Sequence, residues 1–312
     1  MRGATGFLGG SLAKDLLGRC GAMRLFCRRP ERLDPALRSA GVEIVTGDAL
    51  DAPAVARSLQ GIDLILDCIG ATVPAIAPAE LLPEVERTLR PLAILLDAMT
   101  AEPDARLLFL SSGGAVYGSA SQDTWTEASV PAPESAYGLG KLLSEEMIRF
   151  RSRRDGTRYL IVRAANVYGR ERPGDLPQGV VDVFLDRAAR GEPLERWGDG
   201  AQVRDYLFID DFISAVRALL ELPLGNDLVQ IGTGIASNLE DVVAAVEGAL
   251  GPARTRNAGG SGLHPGVRRS VLRAAKLQAL TGWQPRFSLA AGVAEAARRR
   301  ALRTRPGGEG AG

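Results

Sequence analysis

The sequence predicts an α/β protein in which a doubly wound parallel sheet is followed by a smaller C-terminal lobe. Three observations predict this fold class. A glycine-rich turn opens the chain, short apolar runs alternate with helical patterns as far as residue 165, and the alternation loosens afterwards. Strands that alternate with helices form parallel sheets, because each crossover needs a helix to return the chain to the same edge.

Composition narrows the class of protein. The chain has 312 residues, 46% of them hydrophobic, which is enough for one or two domains with a large core. A net charge of +1 gives no footprint for nucleic acid, and no apolar run is long enough to span a membrane. Cys20, Cys27 and Cys68 are too scattered for a disulfide framework, and a single histidine, His264, excludes a multi-histidine metal site. We therefore expect a soluble cytoplasmic protein with no metal, nucleic-acid or membrane partner.

The turn at residues 3–9 is typical of a phosphate site. Its three glycines let the backbone approach a pyrophosphate, and the positive end of the following helix favours the anion. The predicted cofactor contacts are Gly3, Thr5, Gly6, Phe7, Leu8 and Gly9. Only Met1 and Arg2 precede the turn, so we expect the first strand to be truncated or missing. An upstream extension of the gene is expected to encode a short Val/Ile strand.

The next segments are expected to bind the ribose and adenine. A strand at residues 23–27 ends before Arg28 and Arg29. An acidic residue there would bind the 2′-hydroxyl of NAD, whereas arginine can pair with the 2′-phosphate of NADP. The two arginines favour NADP or a relaxed preference, unless they are simply solvated. After a strand at 42–45, Asp48 either caps the helix at 51–59 or contacts an adenine, together with Ala49.

Further strands are expected to end at one edge of the sheet. A buried strand at 62–69 ends at Gly70, and after a long helix at 81–101 a strand at 107–110 leads to Ser111 and Ser112. Open α/β sheets bind ligands at the carboxyl ends of their strands. The glycine turn, Gly70 and the two serines are therefore predicted to meet at one site.

Tyr137 and Lys141 are four residues apart on a predicted helix at 135–153, so they share one face of it. A free tyrosine has a pKa of about 10, and a neighbouring ammonium favours the phenolate, which makes the pair a candidate base. The same spacing also occurs in solvated helices. The helix carries one apolar stripe formed by Leu139, Leu142, Leu143, Met147 and Phe150.

Two glycines interrupt this helix, at positions 138 and 140. Each costs about 1 kcal/mol relative to alanine in a helix interior, so they indicate a close approach to the backbone. A bound cofactor is one candidate for the approaching group.

The domain organisation follows from these patterns. Residues 1–165 form the predicted dinucleotide-binding domain, and 166–303 form mainly a substrate-binding lobe, of which 205–232 pack back on the sheet. The lobe has predicted helices at 180–190, 210–222, 239–250 and 290–303, strands at 203–209 and 228–231, and a loop at 259–266. Residues 304–312 have the composition of a disordered tail.

Six motifs in order make the chain resemble the extended short-chain dehydrogenase/reductases, and more narrowly the NAD-dependent epimerase/dehydratase family with its UDP-glucose 4-epimerases. They are GATGFLG at 3–9, SSGGAVYG at 111–118, YGLGK at 137–141, RAANVYG at 163–169, WGDGAQVRDY at 197–206 and GW at 282–283. The resemblance implies a Rossmann-like fold with Tyr137 as catalytic base, and with Lys141 on the nicotinamide ribose. It also implies that the Ser112 hydroxyl, with Ser111 behind it, contacts the reacting sugar oxygen. The residues implied to contact the nucleotide diphosphate are Asn166, Gly179, Val180 and Arg204.

The sequence departs from this family at three places. Gly113 stands where many relatives have the catalytic hydroxyl, and Cys27 stands where an acidic residue is common. Many relatives have a diphosphate-binding arginine near Leu263, for which Arg268 and the neighbouring Arg269 are the nearest candidates.

The function that the resemblance implies is epimerisation of a nucleotide-diphosphate sugar at carbon 4, through a transient 4-keto sugar, with NAD bound and NADP as the alternative. Two alternatives stay open: an NADPH-dependent 4-ketoreductase of nucleotide deoxysugars, which Arg28 would suit, and a non-catalytic nucleotide-binding or scaffold protein. A 4,6-dehydratase is disfavoured, because it would need an acidic pair where Gly113 and Gly114 stand. Relatives commonly form homodimers through two helices of the first domain, which here are those containing Leu81 and Tyr137.

Overall fold

The computed structural model of the protein describes residues 1–70, 81–119, 123–171, 179–196, 200, 202–223, 225–257 and 267–304. The predictions for His264, for the loop at 259–266 and for the tail beyond residue 304 lie outside these residues.

The described chain alternates strands and helices. The strands are β1 (Arg24–Cys27), β2 (Glu43–Thr46), β3 (Leu64–Asp67), β4 (Arg106–Ser112), β5 (Arg158–Ala164), β6 (Asn166–Tyr168), β7 (Leu194–Arg196), β8 (Val203–Arg204), β9 (Tyr206–Phe208), β10 (Asp227–Ile231), β11 (Thr255–Asn257) and β12 (Arg269–Ser270). The helices are α1 (Phe7–Leu16), α2 (Pro35–Ser39), α3 (Ala52–Leu59), α4 (Leu81–Glu84), α5 (Arg90–Ala98), α6 (Gly113–Val116), α7 (Ala136–Asp155), α8 (Val180–Ala189), α9 (Ile209–Leu220), α10 (Leu239–Leu250), α11 (Ala275–Thr281) and α12 (Leu289–Thr304).

A parallel sheet forms the centre of the molecule. β3, β4, β5 and β10 are neighbours in the order β10-β5-β4-β3, and β1 pairs in parallel with β2. Arg2 connects the two groups through parallel bridges to Phe26 on one side and Asp67 on the other. The α/β fold class with a parallel sheet is therefore confirmed.

The expected first strand is present as a two-residue stub between β1 and β3. The backbone N–H of Arg2 donates to the carbonyl of Leu66 (2.9 Å), and the N–H of Phe26 donates to the carbonyl of Met1 (2.9 Å). The Arg2 side chain is 2% exposed and forms an ion pair with Asp67 (3.6 Å). The stub therefore fills the position between β1 and β3 in the sheet, and the glycine turn follows it directly.

The second half of the chain returns to the sheet. β10 lies beside β5, and α9 connects to α1 through an ion pair between Arg217 and Asp15 (3.2 Å). The packing of β10 follows from its apolar residues, since Val229 and Ile231 are fully buried in the same cluster as Val162 of β5. This return places the ends of β4, β5 and β10 at one edge.

Two predicted elements are interrupted. The long helix expected at 81–101 is divided by a π-helical turn at Val85–Leu89 and ends in a 3₁₀ turn at Met99–Ala101. The strand expected at 203–209 is split at Asp205, where the chain changes partner from β12 to β6. The buried Asp205 carboxylate accepts backbone N–H bonds from Thr233, Gly234 and Leu272. Both predictions were too regular.

The apolar stripe of α7 does not face the core as helical periodicity predicts. Leu143 and Phe150 of the apolar stripe are exposed, at 41% and 51%, while Lys141, Ser144 and Glu145 are buried on the opposite side. An apolar stripe normally faces the core. Here the buried face is polar because it binds groups at the ends of β4 and β5.

Among the described residues, no helix has the length and apolar character needed to cross a membrane.

Candidate active site

The glycine turn lies tightly against the end of β3. Gly3 has φ +82°, and a Cβ atom there would stand 2.6 Å from the carbonyl oxygen of Cys68. A Cβ atom on Gly9 would collide with the carbonyl group of Gly3, whose carbon would be 2.8 Å away. Since neither position has room for a side chain, the tight packing explains two of the three glycines.

The first turn of α1 offers its N–H groups to a ligand. Its N-cap, Gly6, makes no side-chain capping bond, and no acidic residue lies in the first turn. By contrast, the carboxylate of Asp51 caps α3 and the hydroxyl of Ser135 caps α7. The free N–H groups and the helix dipole make the α1 terminus suited to a phosphate anion. Thr5, Phe7 and Leu8 lie in the same turn, and the guanidinium of Arg170 stands 5.2 Å above the Phe7 ring.

The region predicted to bind ribose and adenine contains an ion pair. Arg28, at the end of β1, donates to a carboxylate oxygen of Asp48 (3.4 Å), and both side chains are largely exposed. The other oxygen of Asp48 accepts the backbone N–H of Leu50. Because Asp51 caps α3, the option that Asp48 caps this helix is wrong. Ala49 packs at the margin of the core, and Gly70 is exposed after β3.

Ser112 and Tyr137 are brought together at the end of β4. A hydrogen bond from Ser112 lowers the pKa of the Tyr137 phenol, but burial raises it by more, and the nearby Glu84 carboxylate raises it further. The expectation that a cation beside Tyr137 dominates its pKa is therefore not met in this structure. The hydroxyl pair still points to proton transfer, because donor and acceptor lie together in a partly buried site.

Lys141 lies one helical turn beyond Tyr137 and is 4% exposed. Its ammonium donates to the carbonyl of Leu110 (2.9 Å) and stands 4.8 Å from the centre of the Phe109 ring. Burial lowers the pKa of Lys141, whereas the Asp67 and Glu84 carboxylates raise it. The ammonium is thus held at the end of β4 by the strand itself.

The two glycines of α7 make room for the protein itself. A Cβ atom on Gly138 would collide with the carbonyl group of Ala115 in α6, and one on Gly140 would collide with the carboxylate of Glu84. The groups that approach these glycines are therefore parts of the protein, and the interpretation that a bound cofactor approaches them is not needed.

Ser111 has a structural partner. Its hydroxyl donates to Glu145 (2.6 Å), which also binds Arg163 through two bonds of 2.9 and 2.6 Å. Arg163 in turn donates to the Tyr117 hydroxyl (2.7 Å), which also accepts a bond from Gln230 (2.6 Å). The prediction that Ser111 contacts substrate is therefore corrected, because its hydroxyl is committed to this buried network. Successive strand residues point to opposite faces, which separates it from Ser112.

The residues predicted to bind the nucleotide diphosphate lie on the second half of the chain. Asn166 starts β6, and its amide oxygen is close enough to Gly114 that a Cβ atom there would stand 2.7 Å from it. Arg204 donates to the carbonyls of Val203 (2.9 Å) and Arg268 (3.4 Å), so the structure brings both predicted arginines together. Burial lowers the pKa of Arg204.

The predicted helix-terminal contacts for the diphosphate are at the start of α8. Gly179, with φ +76°, is its N-cap and makes no side-chain capping bond, and Val180 is its first residue. Gly179 and Val180 therefore lie at a helix start without a side-chain cap, as Gly6 does at the start of α1.

Sequence reasoning missed three residues around this site. Phe109 faces the Lys141 ammonium, Arg170 stacks on Phe7, and Glu84 packs on α7. Phe109 and Arg170 adjoin recognised motifs, which is a signal that could have drawn attention to them. Glu84 has no such signal, because only the tertiary structure brings α4 to α7.

The chain is similar to known proteins over most of its length. The model of the NAD dependent epimerase/dehydratase family matches residues 1–232. The chain belongs to this family. UDP-glucose 4-epimerase of Mycolicibacterium smegmatis is 28% identical over 306 residues, which cover 94% of this chain and 95% of that protein.

Solved structures of this epimerase/dehydratase family are similar over almost the whole chain. UDP-glucose 4-epimerase of Thermotoga maritima, solved with UDP-glucose, has a TM-score of 0.86 and 25% identity, and the match covers 97% of this chain and 98% of that one. UDP-glucose 4-epimerase of Thermus thermophilus, solved with NAD, has a TM-score of 0.85 and 26% identity, covering 96% and 97%. The protein is therefore an enzyme of an NAD-dependent family.

The residues present fit NAD. The uncapped α1 terminus provides N–H donors for a pyrophosphate, and the side-chain-free faces of Gly3 and Gly9 give the tight turn that this requires. Lys141 reaches the carboxyl end of β4, where its ammonium donates to the carbonyl of Leu110.

Proposed function

We propose that the protein is a nucleotide-sugar 4-epimerase of the UDP-glucose/UDP-galactose type. The observation that carries the proposal is the closeness of Ser112 and Tyr137, where the Ser112 hydroxyl lowers the pKa of the phenol, with Lys141 one turn further along α7 and bound to the end of β4. A phenol beside a hydroxyl in a partly buried site is suited to remove a proton from a sugar hydroxyl.

The reaction divides between the chain and its cofactor. Tyr137 takes the proton of the 4-hydroxyl, and Ser112 holds the same oxygen. NAD bound at this site would supply a reversible hydride acceptor for carbon 4. Tyr137 gives the proton back, and delivery of the hydride to the opposite face of the sugar would invert carbon 4. No net oxidation results.

The chain also binds and orients the sugar nucleotide in this proposal. Arg204 and Arg268 supply positive charge for the diphosphate, Asn166 supplies an amide near Ser112, and Gly179 with Val180 supplies backbone N–H groups at the start of α8. Arginine suits this role because its planar fork matches phosphate oxygens.

The pocket geometry disfavours a dehydratase mechanism. A side chain at Gly113 would stand 2.9 Å or less from Leu272, and one at Gly114 would stand 2.7 Å from the amide oxygen of Asn166. The acidic pair that would protonate a leaving hydroxyl therefore has no space at these two positions. The two glycines at these positions support a reaction in which the sugar does not lose water.

The decisive experiment is to purify the protein, release its cofactor for mass spectrometry, and incubate the protein with UDP-glucose while recording proton NMR spectra. Retained NAD and appearance of UDP-galactose are expected. Reversible binding of NADPH, with its oxidation by a 4-keto sugar, would indicate the ketoreductase instead. Formation of a 4-keto-6-deoxy sugar would indicate a dehydratase, and nucleotide binding without turnover would indicate a binding protein.

We further propose that NAD is preferred over NADP despite Arg28. Because Asp48 pairs with Arg28, a 2′-phosphate would meet a neutralised cation and a nearby carboxylate. Arg28→Ala is therefore expected to change the ratio of NADP to NAD affinity by less than about threefold, or about 0.7 kcal/mol. Isothermal titration with both cofactors measures the ratio, and Arg29→Ala is the matched control. A tenfold loss of NADP affinity specific to Arg28→Ala would show that this arginine binds the phosphate.

We also propose that the protein forms a homodimer through α4, the π-helical turn and α7. These neighbouring helices expose large apolar side chains, namely Leu81, Leu82, Val85, Leu143 and Phe150, at 41–69% exposure. An exposed apolar patch of this kind is typical of an interface. Phe150→Glu is expected to convert a dimer into monomers in sedimentation velocity, whereas Leu250→Glu, at an exposed leucine of α10, should not. A wild-type protein that sediments at its monomer mass of 33.0 kDa would refute the proposal.

A further inference from the structure

A buried carboxylate lies against the helix that carries Tyr137 and Lys141. Glu84 ends α4 and is only 4% exposed. Its side chain fills the space beside Gly140, where a Cβ atom would stand 2.5 Å from Cγ and would overlap the carboxylate. Gly140 is three residues after Tyr137 and one before Lys141, so the carboxylate packs against the turn of α7 that carries both functional residues.

The packing of Glu84 against Gly140 of α7 costs stability. A glycine in the interior of α7 costs about 1 kcal/mol relative to alanine, and a buried carboxylate costs more unless opposite charge or hydrogen bonds compensate it. The π-helical turn at Val85–Leu89 begins directly after Glu84 and packs on α7. Such turns are rare and frequently lie at functional sites.

We propose that Glu84 is a positioning residue of the Tyr137–Lys141 pair, whose negative charge keeps the buried Lys141 ammonium protonated and sets the pH at which Tyr137 releases its proton. The inference rests on the proposed function, in which Tyr137 is the proton acceptor. Glu84 acts through these two side chains and makes no contact with substrate in this proposal.

The charges around the pair determine the sign of the effect. Burial raises the pKa of Tyr137, the Ser112 hydrogen bond lowers it, and Glu84 raises it. Burial lowers the pKa of Lys141, while Asp67 and Cys68 after β3, Glu84 on α4 and Glu145 on α7 raise it. The cations on the neighbouring elements are Arg2, which pairs with Asp67, and Arg163 of β5 and Arg149 of α7, which pair with Glu145. Glu84 is the acid that affects both members of the pair.

Glu84→Gln removes the charge at nearly constant volume. Without the negative charge the phenolate is less unfavourable, so the pKa of Tyr137 should fall. Ultraviolet difference titration measures this without substrate, because subtracting the curve of the matching Tyr137→Phe protein isolates one of the five tyrosines. In the epimerase assay, the acid limb of the kcat profile should move in the same direction, to lower pH.

Matched variants separate charge from packing. Glu86→Gln, two residues further along, removes an exposed acid that pairs with Arg90 (3.0 Å) and should change neither readout. Glu84→Asp keeps the charge and should restore the wild-type limb in part. A Tyr137 titration that is the same in wild type and Glu84→Gln would overturn the inference and show that Glu84 only fills space.

The two readouts distinguish failure of this inference from failure of the proposed function. A shifted Tyr137 titration in a protein that does not epimerise would support the role of Glu84 and refute the epimerase. Normal epimerisation with an unshifted titration would refute the role of Glu84 and leave the epimerase intact. If Glu84→Gln does not fold, Gly140→Ala provides a second test, since its methyl group displaces the carboxylate and should lower the pKa of Tyr137 in the same direction.

Discussion

Replacement of Tyr137 by phenylalanine is expected to lower turnover by about a hundredfold to ten-thousandfold while NAD stays bound. Phenylalanine fills the same space but removes the hydroxyl that accepts the sugar proton, and general acid–base groups contribute about this factor. Cofactor retention should change little, because the uncapped start of α1 is untouched. Interconversion of UDP-glucose and UDP-galactose followed by NMR gives the rate, and mass spectrometry of released cofactor gives the NAD content.

Neighbouring residues supply controls for this prediction. Tyr159→Phe changes a tyrosine on β5 outside the site and should leave the rate near normal. Ser112→Ala should slow turnover, whereas Ser111→Ala should reduce stability by about 1–3 kcal/mol with a smaller effect on rate, because its hydroxyl serves Glu145. Near-normal activity of Tyr137→Phe would refute the mechanism.

Glu145→Gln is expected to reduce the free energy of unfolding by about 3–5 kcal/mol, the usual cost of leaving one partner of a buried ion pair alone. Glu145 is fully buried and accepts bonds from Ser111 and from both Nε and Nη2 of Arg163. Glutamine would direct an N–H₂ group at one of these donors, and it leaves the Arg163 guanidinium uncompensated. Urea denaturation followed by circular dichroism measures the change.

Arg149→Ala is the matched control for Glu145. Arg149 contacts a Glu145 oxygen at 3.4 Å from the surface side and is 25% exposed. Exposed ion pairs contribute at most about 1 kcal/mol, so the loss should be several times smaller. Equal losses from the two variants would mean that the Arg163–Glu145 pair does not stabilise the junction between β5 and α7.

The sequence predicted the parts of the site that short segments of chain define. The glycine turn, the spacing of Tyr137 and Lys141 and the serines after a buried strand all depend on residues close together in the chain. Their secondary structure follows from local periodicity and capping, as in α7, which begins after Ser135 and ends at Gly156. The carboxyl ends of parallel strands then meet at one edge by geometry alone.

Residues distant in the chain explain what the sequence could not predict. Ser111 and Ser112 are identical in type and adjacent, yet only the position of Glu145 and Arg163 shows which hydroxyl is committed. At the break in the strand at 203–208, the Asp205 carboxylate binds backbone N–H groups of Thr233 and Leu272, which are 28 and 67 residues away. No local pattern contains that information.

By itself, then, the sequence determined an α/β fold with a parallel sheet, membership of an NAD-dependent epimerase/dehydratase family, and the candidate pair of Tyr137 and Lys141. The tertiary structure decided which face of α7 is buried, and placed Glu84 against Gly140. The physical reason is that hydrogen bonding along a helix or strand depends on neighbouring residues, whereas the environment of a buried charge depends on every element that packs around it.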